Sequence, residues 1–198
     1  MSRHTIVSLV LLALIVSCKQ NAITTVTPRP NSHIPFLGVQ LGGGGGKQTD
    51  TAQQRTMILE RAQAWVDAKI PYNQQAQRDG YRTDCSGFVS YAWQLSGSPD
   101  TTSFVTKGYA VDIPIEKLQP ADALNNKRPG DEGHIVIFVR WLDSADKTRF
   151  EAYDMNTYPG FPSKKIFTLQ QSTNGWTVVE LEPYAKGPYY AQRRKDFP

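Results

Sequence analysis

The sequence predicts an α+β domain in which N-terminal helices pack on an antiparallel β-meander. Apolar residues recur at helical spacing before the middle of the chain, as at Ile58, Ala62, Trp65 and Val66. From His134 onward they form short β-branched and aromatic runs separated by turn residues. Because the helices precede the strands instead of alternating with them, an antiparallel sheet is favoured over a parallel one.

The first 17 residues have the features of a secretory signal. Arg3 precedes an uncharged apolar run over 5–17, which is shorter than the ~20 residues needed to cross a bilayer. The run ends in Ser17-Cys18, which resembles the bacterial lipobox, so acyl chains such as palmitate on Cys18 would anchor the protein. Lys19 favours the periplasmic face of the outer membrane in a double-membraned host. The alternative is ordinary cleavage nearby and a secreted protein.

Residues 18–49 form a predicted tether between the membrane and a domain over 50–198. The tether is rich in Thr, Pro and Asn and contains a glycine run at 42–46, a composition that cannot bury enough apolar surface to order itself. The formal net charge of +4 is scattered, and no basic stripe is interleaved with aromatics, so nucleic acid is not an expected partner. The oligomeric state cannot be read from the sequence.

Two helices open the predicted domain. Asp50 and Gln53 form an N-cap signature for the first helix, and Pro71 stops it. Asp84 caps a second helix that starts at Cys85 and ends near Gly97. The residues of the second helix that should pack inward are Phe88, Val89, Ala92, Trp93 and Leu95.

A long connection and four strands complete the predicted domain. Residues 98–133 are rich in Pro, Gly and Asp and show little periodicity, and a connection of this length often carries function. The predicted strands are 134–141, 149–156, 164–169 and 176–183.

Cys85 is the candidate nucleophile. If Cys18 carries lipid, Cys85 has no partner for a disulfide, and an unpaired thiol in an exported protein requires a reason. At the first turn of a helix, unsatisfied N–H groups and the helix dipole favour the reactive thiolate. Gly87 would leave room for a substrate backbone beside the sulfur, and Ser86 is assigned to the same substrate-facing segment. The alternative is a small buried apolar residue.

His134 is the candidate base, since the other two histidines lie in the signal and the tether. One cysteine and one histidine are too few for a closed zinc site but sufficient for a Cys–His pair, so no metal or cofactor is expected. A hairpin that turns about residue 145 places His134 opposite Asn156, with Asp154 diagonal on the same face. Asp154 is the first choice for the residue that orients the imidazole and Asn156 the second, whereas Glu151 lies too near the turn.

Asp84 to Phe88 (DCSGF), with Gly133-His134 followed by an apolar strand, resembles the NlpC-type family of papain-like cell-wall cysteine peptidases. The resemblance covers roughly residues 55–160 and implies cleavage of peptidoglycan stem peptides. It further implies that Tyr72, in Ile70-Pro71-Tyr72, joins the backbone N–H of Cys85 in an oxyanion hole. The alternative for Tyr72 is a packed aromatic after the helix stop.

The sequence departs from the family pattern at three places. Asn73-Gln74-Gln75 follows the tyrosine where the family usually has a glycine-rich pair, and Pro120-Ala121-Asp122 stands for its Pro-Gly-Asp turn. The third catalytic residue, often histidine in the family, must be another polar residue here. These departures affect the expected substrate more than the Cys–His geometry.

The predicted function is therefore hydrolysis of an amide in peptidoglycan stem peptides through a thioester on Cys85. Two alternatives remain open: a papain-like acyl or amide transferase on another envelope substrate, and a non-catalytic wall-binding lipoprotein. Two further sets of residues are candidates for substrate contact, although packing or solvation is the simpler interpretation of each. They are the aromatics Tyr81, Phe104, Tyr109, Tyr189 and Tyr190, and the basic segment Arg193-Arg194-Lys195.

Overall fold

The computed structural model describes residues 46–197, with side chains from residue 51 onward. The predicted signal, Cys18 and most of the tether lie outside this range. Helix α1 spans Gly46–Asp67, so Asp50 lies inside the helix instead of capping it. Its inward face is the predicted one, with Ile58 and Ala62 fully buried, and the helix ends before Pro71. Within residues 46–197 no helix has the length and apolar character required to cross a membrane.

A two-stranded hairpin that the sequence analysis did not predict follows α1. Strand β1 (Asn73–Arg78) pairs antiparallel with strand β2 (Tyr81–Thr83). The turn between them has positive φ at both Asp79 (54°) and Gly80 (83°), as two-residue hairpin turns require. The Asp-Gly dipeptide is therefore the sequence signal for this hairpin, which leads directly into the next helix.

Helix α2 spans Cys85–Trp93, and Asp84 caps it as predicted by accepting a hydrogen bond from the Gly87 N–H at 2.7 Å. The expected end near Gly97 was wrong. Gln94 adopts a left-handed conformation, and the N–H groups of Gln94 and Leu95 bond back to carbonyls of the last turn, which closes the helix there. All the residues predicted to pack inward are buried.

Seven strands form one antiparallel sheet. In chain order they are β3 (Ala110–Ile113), β4 (Ala123–Asn125), β5 (Ile135–Trp141), β6 (Arg149–Met155), β7 (Pro162–Ser172), β8 (Gly175–Val178) and β9 (Tyr190–Arg194). Their spatial order is β3-β9-β4-β5-β6-β7-β8. Strands β5 to β8 form the predicted meander, whereas β4 was not predicted. The last strand, β9, returns to lie between β3 and β4. The segment predicted as one long connection thus supplies two strands and two short 3-10 helices, and the predicted strand over 176–183 ends at Val178.

The sheet is buried on both faces around β5. Ile135 and Ile137 join the core beneath α1 and α2, whereas Val136 and Phe138 join a second core on the opposite face. The sheet curls around this second core until Trp176 forms a bridge with Tyr189, just before β9. A strand that is buried on both faces has a fixed position, so β5 gives the preceding residue, His134, a rigid support.

Candidate active site

Cys85 is the first residue of α2 and carries an unpaired, buried thiol. It borders a cleft of about 260 Å³ whose wall also includes Tyr72, Gln74 and Arg82. Its Sγ lies 3.8 Å from the Gly133 carbonyl oxygen, at the entry to β5. The backbone N–H groups at the start of a helix have no carbonyl partner within that helix, so the positive end of the helix dipole faces the thiol. Cys85 therefore lies at the helix start, beside the cleft, as the sequence analysis expected of a nucleophile.

His134 lies between Cys85 and Asp154. Its Nε2 is 2.8 Å from Asp154 Oδ1, and the Cys85 side chain is near enough to raise the pKa of the imidazole. The contact expected between the candidate base and its first-choice orienting residue is thus confirmed. All three residues are buried, with Asp154 fully inaccessible to solvent. We call these residues the Cys85–His134–Asp154 array.

The register of β5 with β6 leaves both candidate orienting residues, Asn156 and Asp154, on the same face as His134. Ile137 pairs with Tyr153 and Phe138 with Ala152, the same alignment that would place position 134 opposite position 156. An irregularity between Phe138 and Arg140 shifts the pairing only toward the turn. Asn156 is buried as well, but its Oδ1 accepts a hydrogen bond from the Thr157 hydroxyl at 3.1 Å. The second-choice residue therefore does not hold the imidazole.

The charges of the array support a protonated imidazole. Burial lowers the pKa of His134, but the charge and hydrogen bond of Asp154, together with Cys85, outweigh burial and raise it from 6.5 to about 10. Burial raises the pKa of Asp154, but the pairing with His134 and Lys165 outweighs it and lowers this pKa below the ordinary range.

Lys165 is a fourth charged member of the site that the sequence analysis missed. Its Nζ lies 2.7 Å from Asp154 Oδ2, so both carboxylate oxygens of Asp154 are engaged. Strand β7 pairs Ser163 with Asp154, which brings Lys165 to the same face two residues along. The β6–β7 register was the information needed to find it, and the sequence alone did not supply that register. Imidazolium, carboxylate and ammonium thus alternate in charge along the line from His134 to Lys165.

Asn126 holds the backbone of His134 and was also missed. The His134 N–H donates to Asn126 Oδ1 at 2.8 Å, and the Asn126 N–H donates to the His134 carbonyl at 3.1 Å. Its Nδ2 donates to the carbonyls of Glu132 (2.7 Å) and Lys186 (3.1 Å). Asn126 thus ties the loop before β5 to the segment before β9. Nothing in the surrounding sequence distinguishes it from an ordinary loop asparagine.

Tyr72, to which the family resemblance assigns an oxyanion role, lies in the wall of the same cleft as Cys85. Its hydroxyl accepts a hydrogen bond from Gln74 Nε2 at 3.2 Å. Burial first, and the charge of Cys85 second, raise the pKa of Tyr72 to about 12. Tyr72 is therefore a protonated donor at any ordinary pH.

Ser86 and Gly87 serve the local fold. The Ser86 hydroxyl donates to Asp84 Oδ1 at 2.9 Å and accepts from Arg82, although the residue still borders the cleft. A Cβ on Gly87 would lie 1.8 Å from the Arg82 carbonyl oxygen. The absence of a side chain at Gly87 therefore makes room for the backbone of β2, and the space expected for a substrate is filled by the protein.

Other predicted contact residues lie away from the cleft or in the core. Phe104 and Tyr189 are buried in the two cores, and Arg193 pairs with buried Asp122 at 3.0 Å. Among residues 51–197, no three His, Cys, Asp or Glu side chains gather in a way that would hold a metal ion.

Comparisons of the chain with family models, with curated proteins and with solved structures found no match. The fold is mixed α+β, with two helices and an antiparallel sheet. The features that bear on function are the geometry of the cleft and the motif that surrounds Cys85.

Proposed function

We propose that this chain is a cell-envelope cysteine hydrolase of the NlpC type, with a papain-like fold, that cuts amide bonds in peptidoglycan stem peptides. The observation that carries the proposal is the buried Cys85–His134–Asp154 array beside an open cleft. Its order along the chain, cysteine on a helix and histidine before a strand, matches the motif DCSGF with Gly133-His134. The peptidoglycan substrate comes from the resemblance and from the predicted envelope location.

The turn at Pro120-Ala121-Asp122 adds support to the resemblance. Ala121 has a φ of 73°, a left-handed conformation that glycine adopts without steric cost. The family has glycine at this position of the turn. The same backbone shape with a different residue is what a divergent member would show.

The reaction proceeds in two steps. The Cys85 thiolate attacks the amide carbon, and the imidazolium of His134 gives its proton to the leaving amine as the C–N bond breaks. The product of this step is a thioester on Cys85. Water then attacks the thioester while neutral His134 takes its proton. The C–S bond breaks, a carboxylic acid is released, and the sulfur recovers its resting state.

The oxyanion of each tetrahedral intermediate would be stabilised at the start of α2. The donors are the backbone N–H of Cys85, which has no carbonyl partner in the helix, and the hydroxyl of Tyr72. Asp154 would not accept a second proton, because Lys165 holds its other oxygen and both neighbours lower its pKa. Its role is to orient the imidazole and stabilise its charge.

Digestion of purified sacculi, with products read by mass spectrometry, tests the proposal. We expect the wild-type chain to release fragments with a new amine and a new carboxyl terminus, and Cys85→Ala and His134→Ala to release none. Asp154→Ala and Asn156→Ala form a matched pair, because both residues are buried and only Asp154 contacts His134. The first should lose most activity and the second should retain it. Intact sacculi after treatment with the wild-type chain, or transfer of an acyl group without new termini, would refute a stem-peptide hydrolase.

The location is a separate part of the proposal. We propose that Cys18 carries the lipid and holds the domain at the envelope, on the periplasmic face of the outer membrane where the host has two membranes. Metabolic labelling with an alkyne-bearing palmitate should mark the wild-type chain and leave Cys18→Ala unmarked. Equal labelling of both chains, or of neither, would contradict the anchor while leaving the hydrolase proposal intact.

A further inference from the structure

A second cavity lies at the opposite end of α2 from Cys85. It encloses about 450 Å³ between the C-terminal end of the helix, the segment before β3 and the end of the chain. Its wall includes Ser96, Tyr109, Arg194 and Lys195. The nine residues of α2 separate it from the thiol by about 13 Å at the rise of an α-helix. The cavity is therefore distinct from the catalytic cleft.

Positive charge is in excess around this cavity. Arg194 and Lys195 come from the chain end, and Arg61 of α1 lies close enough to Arg194 for their charges to oppose each other. Burial first, and the charge of Arg194 second, lower the pKa of Arg61. The acids nearby are Asp196, which pairs with Arg194 at 2.8 Å, and Glu60, which lies beside Arg61. The cavity wall itself thus carries two basic residues, Arg194 and Lys195, and one acidic residue, Asp196.

The end of α2 does not supply competing negative charge. A helix C-terminus ordinarily presents unsatisfied carbonyls, which would repel an anion. Here the carbonyls of Ser90 and Tyr91 accept from the N–H groups of Leu95 and Gln94, and the Ala92 carbonyl accepts from Arg61 Nε at 2.7 Å. Three carbonyls of the last turn are therefore satisfied within the protein. Two hydroxyls, from Ser96 and Tyr109, are left in the cavity wall as neutral donors.

We propose that this cavity binds an oxyanion, a phosphate or carboxylate group, through Lys195 and Arg194 with the hydroxyls of Ser96 and Tyr109. The residues of the basic segment Arg193-Arg194-Lys195 have two different roles. Arg193 pairs with buried Asp122 and belongs to the fold, whereas Arg194 and Lys195 face the cavity. The site does not depend on the proposed hydrolase activity, since no residue of the catalytic cleft contributes to it.

Titration of the full chain with inorganic phosphate, followed by NMR, tests the site. We expect saturable shifts at the amides of Ser96, Gly108 and Tyr109, and an affinity about fivefold weaker in Lys195→Gln, the upper range for an exposed ion pair. Lys195→Arg should retain binding. Lys164→Gln is the matched control, because it removes one exposed lysine from another face. Scattered shifts without saturation, or equal weakening by Lys164→Gln and Lys195→Gln, would overturn the proposal.

Two sources of the oxyanion are then separated by a second measurement. Cosedimentation with phosphatidylglycerol vesicles, compared with phosphatidylcholine vesicles, tests a lipid headgroup. Retention that depends on Lys195 and is displaced by phosphate indicates a lipid. Saturable phosphate binding without such retention indicates a phosphate or carboxylate on a soluble or polymeric ligand. Absence of both, in a chain that still hydrolyses sacculi, would refute the oxyanion site alone.

Discussion

Asp154→Asn removes one charge from the buried array and changes little else in size. The asparagine can still accept from His134 Nε2 through its oxygen. Its amide nitrogen, however, then faces the Lys165 ammonium, donor against donor, at a contact that is 2.7 Å in the native protein. Removing one partner of a buried ion pair costs about 3–5 kcal/mol in the free energy of unfolding. We expect a loss of this size at neutral pH, and a fall in hydrolysis of roughly 10²–10⁴-fold.

The pH dependence gives a sharper result than the single value. Because the pKa of His134 is raised from 6.5 to about 10, its stabilising contribution is fully present below pH 6.5 and is lost as pH rises toward 10. Asp154→Asn lacks the carboxylate charge that raises this pKa, so its stability should fall little over the same pH range. The difference in the free energy of unfolding between wild type and Asp154→Asn should therefore narrow between pH 6.5 and 10. The change should be a few kcal/mol, on the order of the free energy that corresponds to the shift in the His134 pKa.

Urea unfolding at a series of pH values, followed by tryptophan fluorescence, measures both effects. Glu151→Gln is the control, because it removes a carboxylate from the same strand whose partner, Arg140, is exposed. That variant should lie within about 1 kcal/mol of wild type at every pH. Parallel stability curves for Asp154→Asn and wild type from pH 6.5 to 10 would show that the ion pair does not hold His134 in its charged form.

Three further predictions concern other residues. Lys165→Met should let the pKa of Asp154 rise, so the loss of stability and hydrolysis on acidification should begin at a higher pH than in wild type. Lys165→Arg keeps the positive charge and should leave that pH unchanged. Identical acid limbs in the pH–rate profiles of wild type and Lys165→Met would contradict this prediction. Tyr72→Phe should lower kcat about 10²–10³-fold with little change in KM, as removal of an oxyanion donor does, and an unchanged kcat would exclude that role. Asp122→Ala should lower the free energy of unfolding in urea by about 3–5 kcal/mol, because it removes the buried carboxylate that pairs with Arg55 and Arg193. Hydrolysis per folded molecule should be unchanged. A parallel loss of activity would mean that this cluster also shapes the cleft.

The central part of the site could be predicted from local signals. Asp84 before Cys85 is a helix-capping pattern, and capping depends on a few neighbouring residues. The His134–Asp154 contact followed from one short hairpin, whose turn constrains the register of β5 and β6. Each of these inferences used residues close together in the sequence.

The parts that were missed depend on pairing between distant segments. Lys165 reaches Asp154 through the β6–β7 register, and Asn126 reaches His134 through a loop without regular structure. Strand β9 reads as a polar, basic end of the chain because Gln192 and Arg193 bury their side chains in hydrogen bonds and an ion pair instead of apolar contacts. Binary hydrophobic patterning has no signal for a strand of this kind.

The position of β9 in the chain and in the sheet affects the order in which the sheet can assemble. Of the strands described, β9 is synthesised last, yet it is the link through which β3 joins the rest of the sheet. A chain still emerging from the ribosome or from a translocation channel has neither this link nor the Arg193 partner of buried Asp122. That side of the sheet therefore cannot assemble until β9 has been synthesised. A premature stop near the end would remove an interior component, and the damage would extend far beyond a frayed terminus.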